Sequence, residues 1–291
     1  MNHSPSTPNE GSVASVGPPP DAFGFGRNWQ RYISEHLNPE RERIAAESLH
    51  DLLQVDLRGK SFLDIGSGSG LFSLCACKAG ASHVTSIDVD PSSVTATKHL
   101  RASAGDPENW VVRHDSILDG NVARTLPAAD IVYSWGVLHH TGNMHEAIVN
   151  AAQLVNPGGL FCIAIYNRVT GRFLDSERWL RIKRAYNHSP RAAQAAMESL
   201  YAGYWSLGRL RNRQNPLRIA REYKASRGMA LKTDLVDWLG GYPYEFATSD
   251  EVIAFCTKRC GMSLVRLVPV PDDGNGNNQF VFQRTGDPAV A

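Results

Sequence analysis

The chain lacks a long hydrophobic run: no stretch approaches the ~20 apolar residues that a membrane-spanning helix needs. Its first residues show no basic region followed by an apolar one, so no secretory signal is read there and the expected location is the cytoplasm. Cysteine is scarce and odd in number, with five residues and no disulfide-like spacing, which points to a reducing compartment. Cys75 and Cys77 stand too close for the usual zinc knuckle and Cys256 and Cys260 lie one helical turn apart, so no metal is expected and buried small hydrophobes are the reading. Net charge is nearly absent at +1, and the average charge therefore asks for no polyanionic partner. The apolar share of 42% is still enough for a sizeable core.

What is present is an alternation of short apolar runs and helical patterns. Strands are predicted at Ser61–Gly66, His83–Asp88, Trp110–His114, Asp130–Trp135 and Leu160–Tyr166, the last after a turn at Asn156-Pro157-Gly158-Gly159. Helices are predicted at 27–58, Ser69–Lys78, Pro91–Ala104 and Met144–Leu154. This alternation specifies an α/β fold with a doubly wound, mostly parallel sheet. It stops over 170–245, a helical block with starts at Asp175, Asn215 and Asp234 and a stop at Gly240-Gly241. A helix (Ser249–Cys260) and two strands (Ser263–Val270 and Asn278–Gln283) follow, the strands joined by a Gly/Asp/Asn turn and so antiparallel. The block is therefore an insertion into one domain made of 21–169 and 246–284, while 1–20 and 285–291 read as disordered tails.

The most informative stretch ends the first strand: Phe62-Leu63-Asp64-Ile65 runs into Gly66, Ser67, Gly68, Ser69 and Gly70. Strand, bare-backbone turn and helix start let a ligand lie against main-chain N–H groups. The dinucleotide spacing G-x-G-x-x-G is not met, because position 71 is Leu, and no Gly-Lys-Ser/Thr of a triphosphate loop follows. Asp88 ends the second strand, where a carboxylate accepts both hydroxyls of a ribose. Val89 is placed to cover an adenine face, Asp115 to accept from its amino group, and Asp64 to reach a ligand ammonium through water or the loop. The ligand asked for combines ribose, base and a cationic amino-acid end.

On these residues the chain resembles the class I S-adenosylmethionine-dependent methyltransferases. The matching motifs are Leu63 to Gly70, Ser86-Ile87-Asp88-Val89-Asp90-Pro91, His114-Asp115, Asp130 to His140 and Leu154 to Gly159, in family order. Residues 130–167 look most similar to small-molecule methyltransferases such as the ubiquinone-biosynthesis O-methyltransferases. The resemblance implies a Rossmann-like sheet of seven strands with the last antiparallel and a helical insertion between strands 5 and 6. It implies S-adenosyl-L-methionine as cofactor, its methionine end over Asp64, Gly66, Ser67, Gly68 and Gly70, its ribose on Asp88 and its adenine near Val89, Asp115 and Ser116. Ser134 and Trp135 would lie under the sulfonium.

His139 and His140 follow the fourth strand and are the candidate general base; the other reading is that one orders the loop and the other packs. Trp29, Tyr166, Asn167, Tyr204 and Trp205 are the candidate acceptor-pocket residues, and Arg27 and Asn28 are either a lid over the cofactor or a helix cap. The insertion is strongly basic: residues 172–232 hold 14 Lys and Arg, Lys183 among them, against 4 Asp and Glu. Interleaved aromatics allow a substrate lid, an anionic membrane surface, an anionic substrate, RNA, or simply a solvated face. The expected partner is a small-molecule acceptor, anionic or membrane-associated, with no stable nucleic-acid partner. An RNA or protein acceptor is the alternative, and a non-catalytic cofactor-binding scaffold the remote one. The fourth motif reads Ser134-Trp135-Gly136-Val137 rather than Asn/Asp-Pro-Pro-Tyr/Phe, which argues against exocyclic base amines as targets.

Overall fold

The computed structural model describes residues 24, 26, 37–171, 174–216, 218, 219, 231–270 and 274–285. The segments read as tails, apart from Thr285, and Arg27, Asn28 and Trp29 lie outside these residues. Helix α1 (Pro39–Leu53) starts on an Asn38 side-chain cap with proline in its first turn. Then β1 (Ser61–Ile65), α2 (Leu71–Lys78), β2 (His83–Asp88), α3 (Pro91–Ser103), β3 (Trp110–His114), α4 (Gly120–Thr125) and β4 (Ala129–Trp135) alternate. A single 3₁₀ turn (Leu138–His140), α5 (Met144–Gln153) and β5 (Val155–Tyr166) complete the parallel part. The insertion supplies α6 (Ser176–Asn187), α7 (Arg191–Arg211) and α8 (Leu231–Gly240) before α9 (Ser249–Cys260), β6 (Met262–Val268) and β7 (Asn277–Arg284).

The seven strands stand in the order β3-β2-β1-β4-β5-β7-β6, with β7 antiparallel to both neighbours and the others parallel. The doubly wound sheet and its antiparallel last strand are as predicted. One boundary differs: Asn156-Pro157-Gly158-Gly159 is not a turn before the strand but a bulge inside it, since Val155 pairs with Ala129 and Leu160 with Ile131. Because the order reverses between β1 and β4, their C-terminal ends frame the crevice in which sheets of this kind bind ligands.

Alternation along the central strands sorts side chains to two cores. Leu63, Ile65, Ile87, Val132, Phe161 and Ile163 face α5 and α9; Phe62, Val84, Ile131, Tyr133 and Cys162 face α1 and α2. A third cluster, Trp179, Tyr186, Leu239 and Tyr244 with Tyr166 and Trp238, joins the insertion to the end of β5. The return segment is pinned to the crevice rim: Glu245 N–H donates to the His139 carbonyl (3.0 Å), and the Glu245 carboxylate accepts from Met144 N–H at the start of α5 (3.0 Å). Among the described residues, no helix is long and apolar enough to cross a membrane.

Candidate active site

The glycine-rich turn comes first because everything else is placed against it. Gly66, Gly68 and Gly70 all have positive φ, which only glycine adopts without strain. A Cβ on Gly66 would lie 2.4 Å from Val137 Cγ1, so the segment after β4 packs directly onto the bare backbone. The turn differs from the sequence expectation in one respect. Its N–H groups are mostly used internally: those of Gly66 and Ser67 donate to the Ile87 carbonyl (2.8 and 3.0 Å) and that of Gly70 to the Ser67 carbonyl (2.8 Å). The glycines therefore shape the floor of the crevice more than they offer donors.

Two carboxylates stand at this edge. Asp88 Oδ2 accepts from Gly68 N–H and Oδ1 from Asp90 N–H, both at 2.9 Å, which fixes it at the end of β2. Burial pushes its pKa up to about 6 against the pull of those two bonds. Asp90, not Asp88, caps α3, through Ser92 N–H at 2.8 Å, and also accepts from Gly26 N–H at 2.9 Å. Asp64 is turned to α2, where Ser73 Oγ donates to it at 2.5 Å, and burial, with a smaller push from the Asp88 charge, raises its pKa to about 7. Ser73 and Trp110 Nε1 both meet Ser86 Oγ (2.7 and 2.8 Å), so the floor under Asp64 is fully hydrogen-bonded.

The other predicted residues fall into two groups. Near the carboxylates, Ser67 Oγ meets Thr97 Oγ1 (3.1 Å), and half-buried Val89 is tied to β3 by its carbonyl on His114 Nε2 (3.0 Å). Asp115 pairs with Arg113 (2.5 Å) beside half-buried Ser116. Ser134 Oγ donates to the Ile65 carbonyl (2.9 Å), bracing β4 on β1 at the crevice, and Trp135 reaches across β5 to Gln279 (3.0 Å). Farther along, His139, His140 and Tyr166 pack as one group of tilted rings, His139 4.1 Å from Tyr166 and 4.5 Å from His140 between ring centres. Both histidines are held neutral: burial lowers His139 well below the usual range and His140 to about 4. His140 Nδ1 donates to the Pro243 carbonyl at 2.5 Å.

Asn167 spends its amide on scaffolding, donating to the Gly274 carbonyl (3.2 Å) and accepting from Asn278 (3.0 Å). Tyr204 is 55% exposed on α7, a helix with no buried residue, and Trp205 carries Arg209 on its ring face at 5.1 Å. These two are not gathered with His139, His140 and Tyr166. Sequence reasoning missed Lys183, which it counted among the surface bases. Lys183 is fully buried, with Nζ 4.2 Å over the Trp238 ring and 4.8 Å over that of Tyr244. A signal was present, because Ser176, Trp179, Lys183 and Tyr186 repeat at helical spacing and form the buried stripe of α6.

A family described as a methyltransferase domain matches residues 37–224, well over half of the chain. The chain belongs to this methyltransferase family. Its sheet is the one expected of the class I S-adenosylmethionine-dependent enzymes. A tRNA U34 carboxymethyltransferase from Chromohalobacter salexigens is 26% identical over 54% of this chain and 43% of its own length. A ubiquinone biosynthesis O-methyltransferase from Maricaulis maris is 32% identical over 40% of this chain and 44% of its own. The chain thus spans less than half the length of these two relatives. Among solved structures, the magnesium protoporphyrin IX methyltransferase of Synechocystis with bound SAH shares the fold at a TM-score of 0.52, with 13% identity over 89% of this methyltransferase chain and 94% of that one.

Proposed function

We propose that this methyltransferase binds S-adenosyl-L-methionine at the β1–β2 edge and transfers its methyl group to an oxygen or nitrogen of a small molecule, with 170–245 as the lid over the acceptor. The observation that carries the reading is Asp88, a buried carboxylate locked by Gly68 and Asp90 N–H at the mouth of a turn that only glycine can form. Among the described residues no Lys or Arg forms an ion pair with buried Asp64 or Asp88, which suits a ligand that carries positive charge. The cofactor supplies a methyl group on a positively charged sulfur. Asp88 holds the ribose hydroxyls, Val89, Asp115 and Ser116 border the adenine, and Asp64, Gly66, Ser67, Gly68 and Gly70 receive the amino-acid end. Ser134 and Trp135 border the reacting end, and the protein's main contribution is alignment and exclusion of water.

An alcohol or phenol acceptor has to lose a proton. With Nδ1 donating to Pro243, the basic atom of His140 is Nε2, and burial keeps that imidazole in the neutral form a base starts from. A small acceptor is supported by the likeness to the ubiquinone-pathway enzyme and by the aromatic cluster joining the insertion to the crevice rim. A cytoplasmic setting fits the five free cysteines.

The deciding experiment is calorimetric titration of S-adenosylmethionine into wild type and Asp88→Ala. Wild type is expected to bind, and the variant to lose at least 100-fold in affinity while its circular dichroism stays unchanged. Tight binding by Asp88→Ala overturns the reading. An RNA acceptor is the second reading, favoured by the basic insertion and the tRNA-modifying relative; affinity that falls steeply as salt rises would select it.

A further inference from the structure

The junction between the insertion and the crevice rim holds a group the proposed reaction does not use. Lys183 has no solvent exposure, and its hydrogen bond goes to the Trp238 main-chain carbonyl. Among the described residues, no carboxylate lies within ion-pairing distance of Nζ. Lysine is almost never fully buried unless paired, so the site asks for a partner that the described residues do not bring. Two further donors of the same cluster, Trp179 Nε1 and Trp238 Nε1, are buried with nothing to donate to. Indole N–H and ammonium groups can only donate. The two tryptophan rings stand 5.3 Å apart, and Trp238 stands 5.6 Å from Tyr166, which touches His139. The cluster therefore has surplus donors, aromatic walls and one positive charge, and it joins the candidate base. Half-buried Trp238 and Tyr166 keep it in contact with solvent.

We infer that this junction is the acceptor's anchoring site, and that the acceptor is an aromatic carboxylate whose oxygens Lys183 and the two indole N–H groups receive. The inference rests on the methyltransferase reading and deepens it. Burial has already lowered the Lys183 pKa to about 7, so the amine gains most from an arriving anion near neutral pH. The other titratable groups around it do not follow the same course. His139 and His140 are neutral above pH 6, Tyr166 and Tyr244 are pushed up and stay protonated, and Asp237 of α8 is the acidic group whose charge acts on Tyr166.

The test titrates wild type and Lys183→Met with benzoate, cinnamate and 2-naphthoate and with the three matching amides, between pH 6 and pH 9. Wild type is expected to prefer at least one acid over its amide by tenfold or more at pH 6 and to lose that preference by pH 9. Lys183→Met is expected to bind acid and amide alike at both. A purely structural lysine, stapling α6 to α8, would produce neither discrimination nor pH dependence. Equal binding of acids and amides by wild type, or binding of neither, overturns the inference, and the wild-type pH series decides even if the variant fails to fold. Titration of S-adenosylhomocysteine into the same samples separates the two readings. Cofactor binding without acid preference removes only the anchoring site, whereas absence of cofactor binding removes the methyltransferase reading beneath it.

Discussion

Two parts of the crevice store buried charge of opposite sign, and they are built differently. At the β1–β2 edge, Asp64 and Asp88 are wrapped in hydrogen bonds from Ser73, Gly68 and Asp90, and the supporting Ser86 and Trp110 are satisfied as well. At the insertion junction, Lys183 has a single carbonyl and two ring faces, and neighbouring indole N–H groups have no partner. A buried polar network that is fully satisfied is rigid and specifies one arrangement, whereas one left short of acceptors is costly. The first region thus reads as preformed for a ligand of fixed shape. The second reads as completed by whatever brings the missing acceptors; on the proposed function the first is the cofactor's seat and the second the acceptor's.

The comparison breaks most sharply at Gly66. An alanine there would have to hold φ near +76° and would drive its Cβ to 2.4 Å from Val137. The expected cost is about 3 kcal/mol of stability, combining ~1–2 kcal/mol for the left-handed backbone with the overlap, and cofactor affinity should fall with it. Chemical denaturation of Gly66→Ala and of Gly66→Ala/Val137→Ala checks this. The second change should recover only the part of the overlap due to the two methyl groups, because the position-137 Cβ stays 2.9 Å away, and should leave the backbone portion. Full stability in the single variant would mean the turn is not the rigid floor described here.

The same contrast explains what was legible in the sequence. The strands, the glycine turn and Asp88 are local patterns, so period-two apolar runs and one bare-backbone turn place them without knowledge of the rest. The internal use of the Gly66 and Ser67 N–H groups depends on the Ile87 carbonyl one strand away, a pairing no local pattern encodes. Lys183 was misread because its charge outweighed its position on the buried stripe of α6. Tyr204 is the opposite case: the sequence offers it as an acceptor-pocket residue, and the structure places it on α7 with Leu200, Leu207 and Leu210, all exposed.

Opposite buried charges give opposite pH signatures, and two neutral substitutions sharpen them. Asp64 titrates near 7 when folded and near 4 when unfolded, so between those values the folded state holds a proton the unfolded state has lost and stability falls as pH rises. Asp64→Asn keeps an acceptor for Ser73 and removes that penalty. It should match wild type at pH 4 and exceed it by on the order of 2 kcal/mol at pH 8, with weaker cofactor binding. Lys183 titrates near 7 when folded and above 10 when unfolded, so its penalty is complete below 7 and fades as pH rises. Lys183→Met should therefore gain a similar amount at pH 6 and nothing at pH 10. Urea midpoints at the four pH values decide. Parallel curves for variant and wild type would show that neither group carries the charge history assigned to it.

The smallest effect, at position 179, emerges from making the same change in both regions. Trp110 and Trp179 are both buried, but Trp110 Nε1 donates to Ser86 at 2.8 Å while Trp179 Nε1 has no acceptor. Replacing either by Phe loses indole packing. At position 110 it also strands Ser86 and loosens the floor beneath Asp64, for a total of about 3 kcal/mol. At position 179 it deletes an unsatisfied donor whose burial itself costs ~1–3 kcal/mol, so the packing loss is largely offset and the net change stays within about 1 kcal/mol. The aromatic-carboxylate preference of the junction should weaken in Trp179→Phe and survive in Trp110→Phe. An equal stability loss in the two variants would erase the distinction between a satisfied seat and one waiting for its ligand.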